Sequence, residues 1–129
     1  MGILEPFCLA IAIYWEARGE PIVGQFAVGQ VILNRVKSKE WPNNICEVVT
    51  QRKQFSFYND GKGDIPKDQK AWNRAKVVAQ RLLTKSEMHQ PLPDVTKGSN
   101  HYHSKKVDPF WSKNKKEKVV INNHIFYKF

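Results

Sequence analysis

Nine consecutive apolar residues, Phe7 to Trp15, form the longest such run in the chain, and they end directly on an acidic side chain, Glu16. A helix that crosses a bilayer needs about 20 apolar residues, so this run has to find its apolar surroundings inside a folded domain. Pro6 suits the first turn of a helix and Gly19 suits its end. Apolar side chains lie all round the segment from Phe7 to Ala17, which predicts a central helix buried on every side. Glu16 then sits in the last turn of a buried helix, next to Trp15. Desolvation disfavours the charged carboxylate there, and so does the negative end of the helix dipole. A carboxyl biased toward its protonated form is suited to general acid catalysis. Gly19 leaves room for a ligand to reach the backbone. The competing reading is structural: Glu16 pairs with Arg18, or Arg18 and Glu20 brace a tight turn.

Downstream, Pro21 opens a second helix whose Val23, Phe26, Ala27, Val31 and Leu33 recur at three- and four-residue spacing, ending near Lys39. Trp41-Pro42-Asn43-Asn44 is a turn in which either asparagine can cap a short helix through Val49. Asp68 caps a longer helix over about 69–84, with Trp72, Ala75, Val78, Ala79, Leu82 and Leu83 on its apolar face. After Gln90 the residues are those of irregular chain, followed by two short strands, Val119-Val120-Ile121 and Ile125-Phe126-Tyr127, around Asn122-Asn123. These elements predict an α+β fold, mainly helical, as one domain over residues 1–129.

The chain holds 21 Lys and Arg against 12 Asp and Glu, a net charge of +9. Residues 1–33 carry −2 of this and residues 34–129 carry +11, so the acidic group and the basic surface come from different stretches. Such a charge favours polyanions. Lys105, Lys106, Lys113, Lys115, Lys116 and Lys118, with Phe110 and Trp111 between them, read as a solvated face, as a surface for anionic wall polymers, or, as the weakest option, as a nucleic-acid surface. No basic residue precedes the apolar run, so a general secretory signal is not expected. Two cysteines are too few for a disulfide framework. Cys8, inside the apolar run, reads as a buried free thiol, with a Cys8–Cys46 bridge as the less favoured alternative.

The order Ile13-Tyr14-Trp15-Glu16-Ala17-Arg18-Gly19-Glu20-Pro21, Gly24-Gln25, Val31-Ile32-Leu33-Asn34-Arg35-Val36, Gln54-Phe55-Ser56, Asn100-His101-Tyr102-His103 and Asn123-His124-Ile125-Phe126-Tyr127 resembles the bacterial cell wall hydrolase family of the spore-cortex-lytic enzymes. The resemblance implies a lysozyme-like, transglycosylase-type fold that cuts peptidoglycan glycan strands between N-acetylmuramic acid and N-acetylglucosamine. It implies Glu16 as the catalytic acid and no second catalytic carboxylate. A hydrolytic muramidase would need one, from Glu20, Asp60, Asp64 or Asp108. It further implies that Gln54 and Ser56 hydrogen-bond the sugar, that Phe55 packs under a ring, that Tyr102 and His103 close the opposite wall, and that Glu20 helps to shape the cleft. Without the resemblance, Phe55 and Phe57 would read as core aromatics. His101, His103 and His124 with Asp108 could supply a zinc-like ligand set, but the resemblance implies no metal and no cofactor, and neither is expected. Two rival functions remain: a non-enzymatic module that binds wall or nucleic acid, and a metal-dependent nuclease. A wall-degrading domain of this kind suits a phage lysis protein (endolysin) or a virion-associated lysin better than a sporulation enzyme, made in the cytoplasm and acting on the wall.

Overall fold

The computed structural model describes residues 5–51, 66–87 and 94–129. Four helices come first: α1 (Glu5–Ala17), α2 (Ile22–Lys37), α3 (Ile45–Thr50) and α4 (Gln69–Glu87). Strand β1 (His101–Ser104), a 3-10 turn (Phe110–Ser112), and strands β2 (Val119–Ile121) and β3 (His124–Tyr127) follow. The sheet runs β1-β3-β2, antiparallel throughout, with Tyr102 opposite Phe126 and Ile121 opposite His124. The expected mainly helical α+β class is observed. Among the described residues no helix is long and apolar enough to cross a membrane.

The run from Leu9 to Tyr14 is buried throughout and forms the centre of a core completed by α2, α3 and α4. Both ends depart from the expected all-round burial, since Trp15 and Glu16 are half-buried. Phe7 is 51% exposed and rests edge-on against Trp72 at 5.8 Å. Gly29 lets α2 approach closely, since a Cβ there would lie 2.6 Å from a Leu82 methyl and 3.0 Å from one of Ile13. The caps read from sequence are in place: Asn44 accepts from Glu47 N at 2.9 Å, and Asp68 from Ala71 N at 3.1 Å. A second cluster, Ala17, Ala27, Val28, Val31 and Phe126, seats the sheet on α2. Asn122, at φ 51°, takes the left-handed position in the two-residue β2–β3 turn.

Two expectations are corrected. Cys8 is not a free thiol: it forms a disulfide with Cys46, with their Cα atoms 5.2 Å apart. A separation of 38 positions hides this proximity in the sequence. It arises because α3 docks on the first turns of α1, where the buried Glu5 carboxylate also accepts from Ile45 N at 2.7 Å. The other correction concerns β1. Its His-Tyr-His-Ser sequence shows no apolar alternation, yet it pairs along its length with β3, because its partner strand supplies the ladder and the apolar face.

Candidate active site

The end of α1 is fixed from the side by Tyr14. Its buried hydroxyl accepts from Arg18 Nη1 at 2.9 Å, from Asp68 N at 3.0 Å and from Lys67 N at 3.2 Å, joining the helix to the start of α4. The Arg18 guanidinium lies over the rings of Tyr14 and Trp15, at 5.2 and 5.3 Å. Glu16, one turn before Glu20, is half-buried. Gly19 beyond it faces open space, with nothing within 4 Å of where a Cβ would stand.

Tyr102 comes to Glu16 from 86 residues away. Its hydroxyl donates to Glu16 Oε1 at 2.9 Å. Burial first, and then the neighbouring carboxylate, push the phenol well above its ordinary value of 10, so Tyr102 stays protonated and remains a donor. Its ring stacks on Phe126 at 5.6 Å and meets His124 edge-on at 5.2 Å. Strand alternation explains this placement: Tyr102, His124 and Phe126 share the sheet face toward α2, while His101, His103 and Tyr127 occupy the other.

Glu20 turns to the β2–β3 turn. Its Oε1 accepts from Asn123 N and His124 Nδ1, both at 3.1 Å, and its Oε2 from Asn123 Nδ2 at 2.8 Å. Its side chain is 9% exposed. Burial alone would raise the Glu20 carboxyl, but the Asn123 and His124 contacts outweigh it and hold the group below its ordinary 4.5. Glu16, Tyr102, His124 and Glu20 thus form one continuous chain of contacts.

On the outer sheet face, His103 donates from Nδ1 to Ser104 O at 2.8 Å, and its Nε2 meets the Tyr127 hydroxyl at 2.8 Å. His101 donates from Nδ1 to Asn100 Oδ1 at 2.8 Å and packs among Trp41, Trp111 and Phe129. His124 faces away from both, toward Glu20. Among the described residues no three His, Cys, Asp or Glu side chains gather as a metal site would require. Gln54, Phe55 and Ser56, together with Asp60 and Asp64, lie outside the described residues.

Sequence reasoning missed the device that delivers Tyr102. Asn34 donates to Asp94 Oδ2 at 3.0 Å and to Ser99 O at 2.9 Å, and the buried Arg35 donates from Nε to Asn100 O at 2.8 Å. These two residues of α2 pin the segment that enters β1. The available signal was a polar pair, Asn34-Arg35, placed next to the apolar face of an amphipathic helix.

A family model described as Cell Wall Hydrolase matches residues 19–127, beginning three residues after Glu16. The spore cortex-lytic enzymes of Bacillus cereus and Bacillus subtilis are each 47% identical over 53 residues, 41% of this chain and 20% and 17% of those proteins. That of Halalkalibacterium halodurans is 49% identical over 53 residues, 16% of its length. The matched stretch therefore spans a fifth or less of these curated relatives. The crystal structure of the catalytic domain of the Bacillus cereus SleB protein superposes with a TM-score of 0.74 at 27% identity, covering 98% of this chain and 91% of that one. The catalytic domain of the germination-specific lytic transglycosylase SleB from Bacillus anthracis gives 0.79 at 28% identity, covering 99% and 97%.

Proposed function

The chain belongs to the cell wall hydrolase family, and from that premise we propose that it cleaves the glycan strands of peptidoglycan as a lytic transglycosylase, with Glu16 as its one catalytic carboxyl. The observation that carries this reading is the Tyr102 to Glu16 hydrogen bond of 2.9 Å at the exposed end of a buried helix, within a fold shared with a lytic transglycosylase domain. Protonated Glu16 gives its proton to the glycosidic oxygen as the bond from that oxygen to the muramic acid C1 breaks. The resulting carboxylate then takes the proton of the muramic acid 6-hydroxyl, whose oxygen closes on C1 to form the anhydro ring. One group serves as acid and then as base, and no water enters. Tyr102 holds the carboxylate between the two steps.

Glu20 supports the single-carboxylate reading rather than a hydrolytic muramidase. Both its oxygens are engaged by Asn123 and His124, so it positions the sheet instead of activating water. Asp108 is exposed on the segment after β1. The family pattern assigns Gln54, Phe55 and Ser56 to the cleft beside Glu16 and Tyr102 to the facing wall, whereas His103 lies on the outer sheet face against Tyr127. The basic surface draws the protein to anionic wall polymers, and the Cys8–Cys46 bridge suits work outside the reducing cytoplasm.

The test is mass spectrometry of the soluble fragments released from defined peptidoglycan, with Glu16→Gln alongside. Anhydro-muramic products that vanish in the variant are expected. Reducing muramic ends would replace the mechanism by hydrolysis, and full activity in a folded Glu16→Gln protein would remove Glu16 from it.

A further inference from the structure

A cavity of about 300 Å³ opens between the 94–99 loop and the edge strand β2. Lys97, Lys116, Lys118 and Lys128 line it, with Glu117 as the one acidic residue among the lining. The four ammonium groups come from three separate stretches of chain, so their convergence is a product of the fold rather than of one lysine run.

The 94–99 loop, which carries Lys97, is tied together by Asp94. Asp94 accepts from Thr96 N at 2.8 Å, Thr96 Oγ1 at 2.6 Å and Gly98 N at 2.9 Å, while its backbone carbonyl accepts from Lys97 N at 3.1 Å. Within this knot Lys97 is held at φ 56°, a left-handed conformation that a side-chain-bearing residue keeps only when its surroundings impose it. Gly98, at φ 82°, leaves its own side open, and the Lys128 side chain lies across the gap, its Cδ and Nζ 3.5 and 3.7 Å from where a Cβ would stand. Lys97 and Lys128 are therefore placed by backbone geometry. Asp94 is the one other acidic group in that loop, and its carboxylate is engaged by the loop itself and by Asn34.

We infer that this cavity binds the phosphate groups of a polyol phosphate chain, an anionic polymer of the wall type, and so holds the protein on its substrate; this rests on the wall-cleaving reading. The chemistry of the lining decides between polyanions. Strand-binding proteins for nucleic acid offer open aromatic faces on which bases stack, whereas the one aromatic residue lining this cavity, Phe126, is 0% exposed. The four lysines offer a charged wall instead. That suits phosphate and hydroxyl groups.

The experiment uses the full chain carrying Glu16→Gln, so that turnover plays no part, and titrates it with a synthetic poly(glycerol phosphate) oligomer at fixed ionic strength, followed by amide NMR. Shifts centred on Gly98 and Ser99 are expected. Adding Lys97→Ala with Lys128→Ala should weaken binding roughly tenfold, while Lys70→Ala with Lys76→Ala, which removes the same charge from the exposed face of α4, should leave it within about twofold. Lys116→Glu with Lys118→Glu is the second pair and should abolish binding. Equal losses from the cavity and control pairs, or no shifts at Gly98 and Ser99, would overturn the site in favour of diffuse attraction. A single-stranded oligonucleotide of equal charge that bound more tightly at the same amides would overturn the ligand class. Failure here leaves the product analysis of Glu16→Gln untouched, and failure there leaves this titration untouched.

Discussion

Removing one oxygen atom from Tyr102 separates its electrostatic role from its packing role. Tyr102→Phe deletes the hydroxyl that donates to Glu16 Oε1 at 2.9 Å, while the ring keeps its stack on Phe126 and its edge contact with His124. A hydrogen bond to a charged group contributes about 1.5–3 kcal/mol. If it is made to the carboxylate that forms during the reaction, its loss falls on the transition state and lowers kcat by roughly 10–100-fold. KM should change little, because the hydroxyl is committed to Glu16 and not to sugar.

The pH profile supplies a readout that a packing role would not move. The donor favours the ionised form of Glu16, so without it the carboxyl keeps its proton to higher pH and the high-pH limb of kcat shifts upward. The assay is initial-rate release of soluble fragments from purified peptidoglycan across pH, with a thermal melt to confirm folding. A folded Tyr102→Phe protein with kcat within about twofold of wild type and an unmoved profile, beside an inactive Glu16→Gln, would refute the argument: Tyr102 would then be a core residue that happens to touch the acid.

Cys46→Ser opens the loop closed by the disulfide, whose ends are 38 positions apart, and should cost about 2–4 kcal/mol, a fall of roughly 7–15 °C in Tm for a domain of this size; reductant should reproduce the drop in wild type and have no effect on the variant. Glu20→Gln should lower stability by about 1–2 kcal/mol near neutral pH, since His124 and Asn123 lose a charged acceptor. Its pH dependence has a definite sign. The folded Glu20 carboxyl lies below its ordinary 4.5, so its contribution is present above that value and is lost as pH falls through the folded value. Urea midpoints of wild type and variant should therefore converge in acid, and parallel curves would contradict the assignment. Asp94, also held low against the raising effect of burial by Thr96, Asn34 and Gly98, gives both proteins a remaining slope of the same sign.

The helices were legible because each rests on local signals: the apolar run, the spacing on α2 and α4, and the caps at Asn44 and Asp68 act within a few residues. The β2–β3 hairpin was legible for the same reason, with Asn122 in its turn. What escaped depends on contacts far apart in sequence. β1 has little strand character of its own and exists because β3 offers it a ladder. The Cys8–Cys46 bridge needs α3 to dock on α1 before the two sulfurs can meet. At the site, Glu16 and Tyr102 were read from the family pattern, and their proximity is tertiary, set by Asn34 and Arg35 gripping the chain just before β1. Those two side chains look like ordinary surface polarity until the partner backbone is in view.

The two glutamates four residues apart show why the break after Ala17 matters. Had α1 continued, Glu16 and Glu20 would lie one above the other on a single helix face, two carboxylates in mutual repulsion and competing for the same proton. The helix ends at Ala17 instead, and the turn through Arg18 and Gly19 carries Glu20 to α2. There its carboxylate accepts hydrogen bonds from Asn123 and His124, and the contact anchors the very strand whose His124 and Phe126 hold the Tyr102 ring. One glutamate is thereby spent on fixing the strand that positions the donor, and under the proposed mechanism the other exchanges the proton. A reaction that needs a single carboxyl to give and then take one proton asks for that division, whereas hydrolysis with Glu20 as the second carboxylate would require it to let go of the sheet.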